Sequence, residues 1–205
     1  MSICIRCTSY ASGMSNSAAA AVLTTADLSE AIRAVRTLLD IADTDPAEVD
    51  FEAVIRSQEV LGRVRHALPK LVWWASAGEE QGSSEAGDDP AGCLPIQVFD
   101  WCRPLDRAEP FIAALGPDPG AVRWDLYAWP AVPEAGLEAI SQKYAYLTLT
   151  VNSRDLYQEE PSQDHTIYMH VPNPPGDRID RIDRIHWLAD QVGGRFAGRV
   201  EVARL

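Results

Sequence analysis

The sequence lacks the short motifs that assign a reaction to a protein. It contains no G-x-G-x-x-G, no G-x-x-x-x-G-K-[ST] and no G-x-S-x-G, so neither a phosphate-binding glycine loop nor a hydrolase nucleophile elbow is indicated. Cysteine is scarce. Cys4 and Cys7 form a C-x-x-C pair, but no second pair and no nearby histidine completes the spacing of a zinc site. We therefore expect reduced thiols, no metal site and no cofactor.

Long apolar segments are also missing. The run Ala18–Leu23 is much shorter than the ~20 residues that cross a bilayer, and it is too short for the core of a signal peptide. We therefore predict a cytoplasmic protein with no membrane partner. Translation starts either at Met1 or at Met14, and only the first start gives a protein with the C-x-x-C pair.

Lysine is almost absent, and the chain is strongly acidic. Only Lys70 and Lys143 are lysines among the 18 basic residues, and 30 acidic residues leave a formal net charge of −12. Nucleic-acid binding draws much of its free energy from neutralising phosphates, so this charge disfavours DNA and RNA as partners. The charge favours a basic protein surface as the partner instead.

The N-terminal part of the sequence has a helical pattern. Apolar residues at helical spacing predict a helix from Thr25 to Ile41. Asp45, Pro46 and Glu48 have the arrangement of an N-cap, a first helical residue and a capping-box partner, which predicts a second helix reaching Pro69. Because only a short acidic turn separates the two helices, we expect an antiparallel helical hairpin.

The composition divides the chain into four segments. One segment stands out because it is acidic, rich in Gly and Ser and poor in apolar side chains, which is typical of a linker or an exposed loop. The predicted segments are a flexible N-terminus at 1–24, a helical hairpin at 25–77, the acidic linker or loop at 78–92, and an α+β domain at 93–205.

The C-terminal segment alternates between strand and helix patterns. Period-two alternation predicts strands at 122–129, 145–151, 166–171 and 199–203, and helical spacing predicts helices at 134–142 and 177–192. The expected fold class is α+β, with the helical hairpin followed by a mostly antiparallel sheet and a packed C-terminal helix. The order β-α-β-β-α-β would make this segment ferredoxin-like.

The candidate functional site is the loop between two of these strands, Asn152–Asp164. It is about twice as long as a hairpin connection requires, and it carries four acidic residues. Our leading hypothesis is an acidic cytoplasmic protein-interaction module, of the inhibitor or immunity type, that binds a basic surface on a partner protein. The predicted partner-binding residues are Asp155, Tyr157, Glu159, Glu160 and Asp164.

Two alternatives stay open at this point. A small hydrolase or metal-dependent enzyme could use the acid and histidine cluster at 155–170, but His165 and His170 are five residues apart on a predicted strand and so face opposite sides. No catalytic residue is assigned. A nucleic-acid-associated regulator of a mobile element would require Arg63, Arg65 and Lys70 to join the arginines of the C-terminal segment in one patch. No pattern specifies an oligomeric state.

Overall fold

A nine-stranded sheet and four α-helices dominate the residues that the structure describes. The computed structural model describes residues 17–45, 47–75, 81–83, 89–141, 145–172, 179–195 and 200–203. The strands are β1 (Ser17–Thr25), β2 (Glu48–Ile55), β3 (Val72–Ala75), β4 (Gln81–Ser83), β5 (Ile96–Arg103), β6 (Gly120–Asp125), β7 (Ala128–Trp129), β8 (Ile140–Ser141), β9 (Tyr146–Val151), β10 (His165–Pro172) and β11 (Val200–Ala203). The helices are α1 (Leu28–Ile41), α2 (Gln58–Ala67), α3 (Ala108–Leu115) and α4 (Ile179–Gln191).

The strand order differs from the order along the chain. The large sheet runs β11-β1-β10-β9-β6-β2-β5-β3-β4, and β7 and β8 form a separate two-stranded hairpin. Every neighbouring pair in the large sheet is antiparallel. Strands β6 and β2, at its centre, therefore join a half built from the two chain ends to a half built from the middle of the chain.

The helices cover one face of this sheet. Helices α1 and α4 pack on the half that contains β1, and α3 packs on β2 and β6 with α2 beside it. Apolar side chains from all four helices and from the strands below them form one continuous buried core. Within it, the rings of Phe51 on β2 and Phe111 on α3 lie with their centroids 4.7 Å apart.

Strand β2 illustrates how the sequence forms the sheet. Val49, Phe51, Ala53 and Ile55 are buried, while the residues between them are half-buried. Alternate side chains of a strand point to opposite faces, so the buried set lies under the helices and the other set faces away from them. This alternation assigns one side of every central strand to the core and leaves the other side to form a second surface.

A buried arginine fixes the segment between β6 and β9. Arg184 on α4 is 1% exposed. Its Nη1 donates to the carbonyl oxygen of Pro130 at 2.8 Å, and its Nη2 donates to the carbonyl oxygen of Glu138 at 2.5 Å. Burial lowers the pKa of this guanidinium from its ordinary value. Both carbonyls lie in the connection between β7 and β8, so this hairpin is held against α4.

The expectation of an N-terminal helical hairpin is not confirmed. The first helix forms as α1 and ends at Ile41 as expected, with Asp27 as its N-cap. The second predicted helix is instead strand β2 followed by the shorter helix α2. The helix begins only after Ser57, whose side chain accepts a hydrogen bond from the backbone N–H of Val60 at 3.2 Å. The two helices are therefore separated by a central strand of the sheet.

The ferredoxin-like order is not confirmed either. The predicted strand at 122–129 is divided into β6 and β7, and the predicted helix at 134–142 is replaced by a 3-10 turn at Pro133–Ala135 and by strand β8. The predicted flexible N-terminus fails for residues 17–24, because they belong to β1, which pairs with β10 and β11. The remainder of that segment lies outside the described residues.

The mixed α/β composition with an antiparallel sheet is confirmed. The strands predicted at 145–151 and 166–171 form as β9 and β10, and α4 and β11 follow near their predicted positions. Gly193 ends α4 with φ of +67°, the left-handed conformation that glycine adopts most easily. A Cβ on Gly194 would meet the carbonyl oxygen of Val22 at 2.1 Å, so the chain after α4 can pass this close to β1 only with glycine there.

Two further expectations can be compared with the structure. Cys102 is disulfide-bonded, so the expectation of four reduced thiols is not confirmed. Sequence spacing could not reveal this, because a disulfide depends on distance in the fold rather than along the chain. Among the described residues, no helix is both long enough and apolar enough to span a membrane.

Candidate interaction surface

The side of the sheet opposite the helices is here called the helix-free face. By strand alternation and register, it carries polar and aromatic side chains in rows that cross the strands. These rows have no helix packed on them among the described residues, in contrast to the apolar residues of the other face. The helix-free face includes Asp50, Glu52, Trp74, Gln97, Phe99, Trp101, Arg123, Tyr146, Thr148, Tyr168 and His170.

An ion pair lies at the centre of the helix-free face. Arg123 Nη2 on β6 lies 2.5 Å from Asp50 Oδ2 on β2, and the two side chains are 18% and 13% exposed. Asp50 Oδ1 also accepts a hydrogen bond from the backbone N–H of Cys102 at 2.9 Å. The Cζ atom of Arg123 lies 5.6 Å from the ring centroid of Tyr146 on β9. This arginine therefore links three neighbouring strands across the face.

A half-buried carboxyl group lies next to that pair. Glu52 on β2 accepts a hydrogen bond from Gln97 Nε2 on β5 at 2.6 Å. Burial raises the pKa of Glu52 above its ordinary value, although the Gln97 hydrogen bond and the charge of Arg123 oppose the change. A carboxyl group that is partly deprived of water and lies near a cation is characteristic of both functional sites and structural networks.

On the other side of Arg123, the face is closed to solvent. His170 is 1% exposed, its ring packs edge-on against Tyr146 with centroids 5.7 Å apart, and its Nε2 lies 2.8 Å from Thr148 Oγ1. Burial, helped by the charge of Arg123, lowers the pKa of His170 to about 3. The imidazole is therefore neutral at physiological pH and belongs to the interior of the face.

The opposite end of the face carries an aromatic cluster, formed by Trp74 on β3 with Phe99 and Trp101 on β5. The ring centroids of Trp74 and Phe99 are 4.5 Å apart, and those of Phe99 and Trp101 are 5.7 Å apart with nearly parallel planes. Trp101 is 41% exposed, which is unusual for so large an apolar side chain. The cluster is therefore a solvent-accessible aromatic surface on an otherwise polar face.

The loop between β9 and β10, residues 152–164, is here called the acidic loop. The carboxylate of Asp155 lies inside it and is 5% exposed. It accepts hydrogen bonds from the backbone N–H groups of Tyr157 at 2.8 Å, Glu159 at 3.1 Å and Glu160 at 2.6 Å, and from Ser153 Oγ at 3.0 Å. Burial alone would raise the pKa of Asp155, but these donors together lower it. One buried carboxylate thus defines the path of the loop.

The acidic loop is fastened to the helix-free face. Leu156 packs with Ala19, Ala21 and Tyr168 in a small apolar cluster separate from the main core. The hydroxyl of Tyr168 donates to the carbonyl oxygen of Arg154 at 2.8 Å. The loop therefore covers the end of the face formed by β1 and β10, and leaves the aromatic cluster at the other end uncovered by it.

The five predicted partner-binding residues are placed differently from one another. Glu159 and Glu160 are exposed, whereas Asp155 is buried and Tyr157 is half-buried against the small apolar cluster. Asp164 pairs with Arg154, at 2.5 Å between Oδ2 and Nε. The loop therefore presents Glu159 and Glu160 to solvent, while Asp155 supports their backbone from within.

Tyr146, Tyr168 and Trp129 offer no accessible aromatic surface to a partner, and Tyr157 is half-buried. Tyr146 is 8% exposed, and Tyr168 and Trp129 are fully buried. The exposed aromatic residues are instead Trp101 on β5, 41% exposed, and Tyr127 between β6 and β7, 45% exposed. The alternation of Gln97, Phe99 and Trp101 along β5 is the sequence pattern that places Trp101 on the helix-free face.

The enzyme alternative requires that His165 or His170 contact a carboxylate. His165 Nδ1 accepts a hydrogen bond from the backbone N–H of Asn152 at 3.3 Å, and burial lowers its pKa against the opposing charges of Asp164 and Asp27. The hydrogen-bond partner of His170 is a threonine hydroxyl. In the described part of the chain, no group of three or more His, Cys, Asp or Glu side chains could hold a metal ion. These contacts supply no histidine–carboxylate pair for acid–base chemistry.

The basic residues proposed for nucleic-acid binding do not gather in the described structure. Arg63 bonds to Glu59 at 2.6 Å, and Arg65 lies 3.3 Å from Asp89. Arg184, one of the C-terminal arginines, is buried under the β7–β8 hairpin. Helix α2 lies with α3 over the half of the sheet that contains β2, whereas α4 lies over β1. Arg63 and Arg65 therefore lie in a different half of the molecule from Arg184.

No protein-family model matches this chain, and no curated protein or solved structure matches it either.

Proposed function

We propose that this protein is an interaction module that binds a basic partner protein through the acidic loop and the neighbouring helix-free face. The observation that carries the proposal is the arrangement around Asp155, which fixes the backbone of Glu159 and Glu160 while their side chains stay exposed. The buried carboxylate orders the loop, and the two exposed glutamates give its surface a negative charge. This arrangement supports binding to a positively charged protein surface.

The rigidity of the loop supports tight binding. A mobile loop loses conformational freedom when it binds, and that loss reduces the affinity. Here the backbone N–H groups of residues 157, 159 and 160 are already bonded to one carboxylate, and Leu156 is already packed on the face. Most of the ordering has therefore taken place before a partner arrives.

The net charge of the whole chain also favours association with a basic partner. A formal net charge of −12 attracts a basic surface over distances longer than direct contact and raises the association rate. Such steering weakens as salt screens the charges, over about 8 Å at physiological ionic strength. The proposal therefore implies a salt-dependent association rate.

The aromatic cluster supplies the apolar part of the surface. Interfaces concentrate their binding free energy in a few Trp, Tyr and Arg residues surrounded by polar groups. Trp101 is exposed, stacks on Phe99 and lies on the same face as the Asp50–Arg123 pair. If the partner's basic surface is its active cleft, the protein acts as an inhibitor or immunity-type protein.

The test uses charge reversal on the acidic loop. A partner captured from the native host is purified, and its affinity for the unmodified protein is compared with that for the double variant E159K/E160K. We expect at least a tenfold loss of affinity and a weaker dependence of the association rate on salt. The matched control is E134K/D190K, which makes the same charge change at two exposed positions, one on α4 and one in the segment held against it.

A second variant examines the aromatic cluster. W101A leaves the net charge unchanged, so we expect a faster dissociation rate with little change in the salt dependence. If E159K/E160K and W101A both bind the partner as tightly as the unmodified protein does, this surface is not the binding site and the proposal fails.

A further inference from the structure

A cleft of about 370 Å³ opens on the helix-covered side of the molecule, between α1 and α3. Its floor is formed by Trp124 on β6 and Leu149 on β9, two central strands of the sheet. It lies on the opposite side from the helix-free face, so it is independent of the surface proposed above. Its volume is within the range of small-molecule sites, about 300–1,000 Å³.

The interior of the cleft is apolar. Its walls are side chains of Ile32, Val35 and Leu39 from α1 and of Ile112 from α3, and its floor is the indole of Trp124. Water in such a space finds few hydrogen-bond partners, so an apolar group that displaces it gains free energy. The interior therefore favours a ligand with an aromatic or aliphatic body.

The mouth of the cleft carries one cation and two anions. Arg36 on α1 forms an ion pair with Glu109 on α3 across the opening, and Arg36 Nε donates to Glu109 Oε1 at 3.0 Å. Asp106, in the 3-10 turn before α3, is exposed, and the described part of the chain offers it no hydrogen bond or ion pair. With Arg36 and Glu109 compensating each other, the mouth has a net charge of −1.

We infer that this cleft binds a small amphipathic amine, with its apolar body between α1 and α3 and its ammonium group beside Asp106. The apolar walls select the body, and the carboxylate of Asp106, which has no partner among the described residues, selects the cationic head over a neutral or anionic one. A carboxylate head would meet two anions, and the Nε and Nη2 groups of Arg36 already donate to Glu109.

The inference is tested with three probes that share a body and differ only in the head group. These are 4-phenylbutylamine, 4-phenylbutanol and 4-phenylbutyrate, titrated into ¹⁵N-labelled protein while amide and indole chemical shifts are followed. We expect saturable shifts at Trp124 Nε1–H and at α1 and α3, and at least ~10-fold tighter binding of the amine than of the carboxylate.

The double variant D106N/E109Q reverses the charge of the mouth. It removes both anions and leaves Arg36, so the net charge changes from −1 to +1 and the carboxylate should now bind more tightly than the amine. The single variant D106N gives a neutral mouth and should remove the preference; it breaks no contact among the described residues and so keeps the test valid if the double variant does not fold. The control E134Q/D190N makes the same change in total charge at exposed positions that do not line the cleft, and it should keep the original preference.

Three results would overturn the inference. The first is the absence of saturable shifts at the cleft with any probe. The second is binding of the carboxylate by the unmodified protein as tightly as the amine. The third is a head-group preference that stays the same in D106N and in D106N/E109Q, because the charges at the mouth would then play no part in selecting the ligand.

Discussion

His170 is a polar residue whose environment determines its protonation state. Its imidazole is enclosed between Tyr146 and Thr148, and the positive charge of Arg123 is close enough to disfavour a second one. The pKa of about 3 in the folded protein lies below the ordinary value of 6.5, so the unfolded chain takes up a proton first as the pH falls. The contribution of neutral His170 to stability is therefore fully present above pH 6.5 and is lost as the pH falls from 6.5 towards 3.

The variant H170Q should make the protein less sensitive to acid. Glutamine can keep a polar group near Thr148 Oγ1 but cannot be protonated, so the penalty of folding around a charged imidazole disappears. Between pH 6.5 and pH 5, we expect the unmodified protein to lose about 1.5 kcal/mol of unfolding free energy relative to H170Q. Urea denaturation at several pH values measures both curves, and parallel curves would contradict the expected protonation state.

The structural role of Asp155 could not be predicted from the sequence. From the sequence, Asp155, Glu159 and Glu160 are equivalent acids in one polar loop. In the structure, Asp155 accepts the backbone N–H groups that give the loop its path, whereas the two glutamates are exposed. Nothing in local composition distinguishes these acids, because the difference depends on which carboxylate the folded loop encloses.

Strand β3 presents two adjacent tryptophans to different environments. Trp73 is 5% exposed and belongs to the core under the helices, whereas Trp74 faces the other way and contacts Phe99 and Trp101. In the sequence, two adjacent tryptophans are compatible either with core packing or with a contact surface. Because side chains alternate along a strand, Trp73 points into the core and Trp74 points to the helix-free face.

Alanine substitution at these two positions should therefore have unequal effects. W73A removes a large buried side chain and should destabilise the protein by about 3–5 kcal/mol. W74A removes part of a half-buried cluster and should cost no more than about 2 kcal/mol. Chemical denaturation followed by far-UV circular dichroism compares them under identical conditions. Equal losses, or a larger loss for W74A, would mean that β3 is not oriented as described.

The helices and strands that were predicted correctly are those whose apolar residues keep a single period over a long segment. The residues of β9, β10 and α4 keep one period throughout, and these elements formed where expected. The segment around β2 failed because Val49 and Ala53 are spaced as well for a helix as for a strand. The intervening Phe51 and the later Ile55 fit period two, but the apparent capping box at Asp45 and Glu48 favoured the helical interpretation. Pairing with β5 and β6 made it a strand.

At the level of the whole molecule, the sheet connects distant parts of the sequence. Strand β1 lies between β10 and β11, although they are separated from it by most of the chain, and β5 lies between β2 and β3. Long-range pairing of this kind leaves little trace in local composition, so the sequence could indicate strands but not their order. The composition of the segment 78–92 predicted a domain boundary there. Strands on both sides of this segment nevertheless belong to the same sheet.

Separating the chain at that segment should therefore destroy the fold of both pieces. A fragment of residues 89–205 keeps β5, β6, β9 and β10 but loses β1 and β2, which pair with β10, β5 and β6. We expect no cooperative thermal transition for this fragment expressed alone, because its apolar strand faces would be left without their neighbours. Cutting the folded protein at a protease site inserted between residues 84 and 88 should leave the two pieces associated on size-exclusion chromatography, with the circular dichroism of the uncut protein as the control. A cooperative transition of 89–205 by itself would show instead that the sheet contains two independent folding units and that the boundary at 78–92 is a true domain boundary.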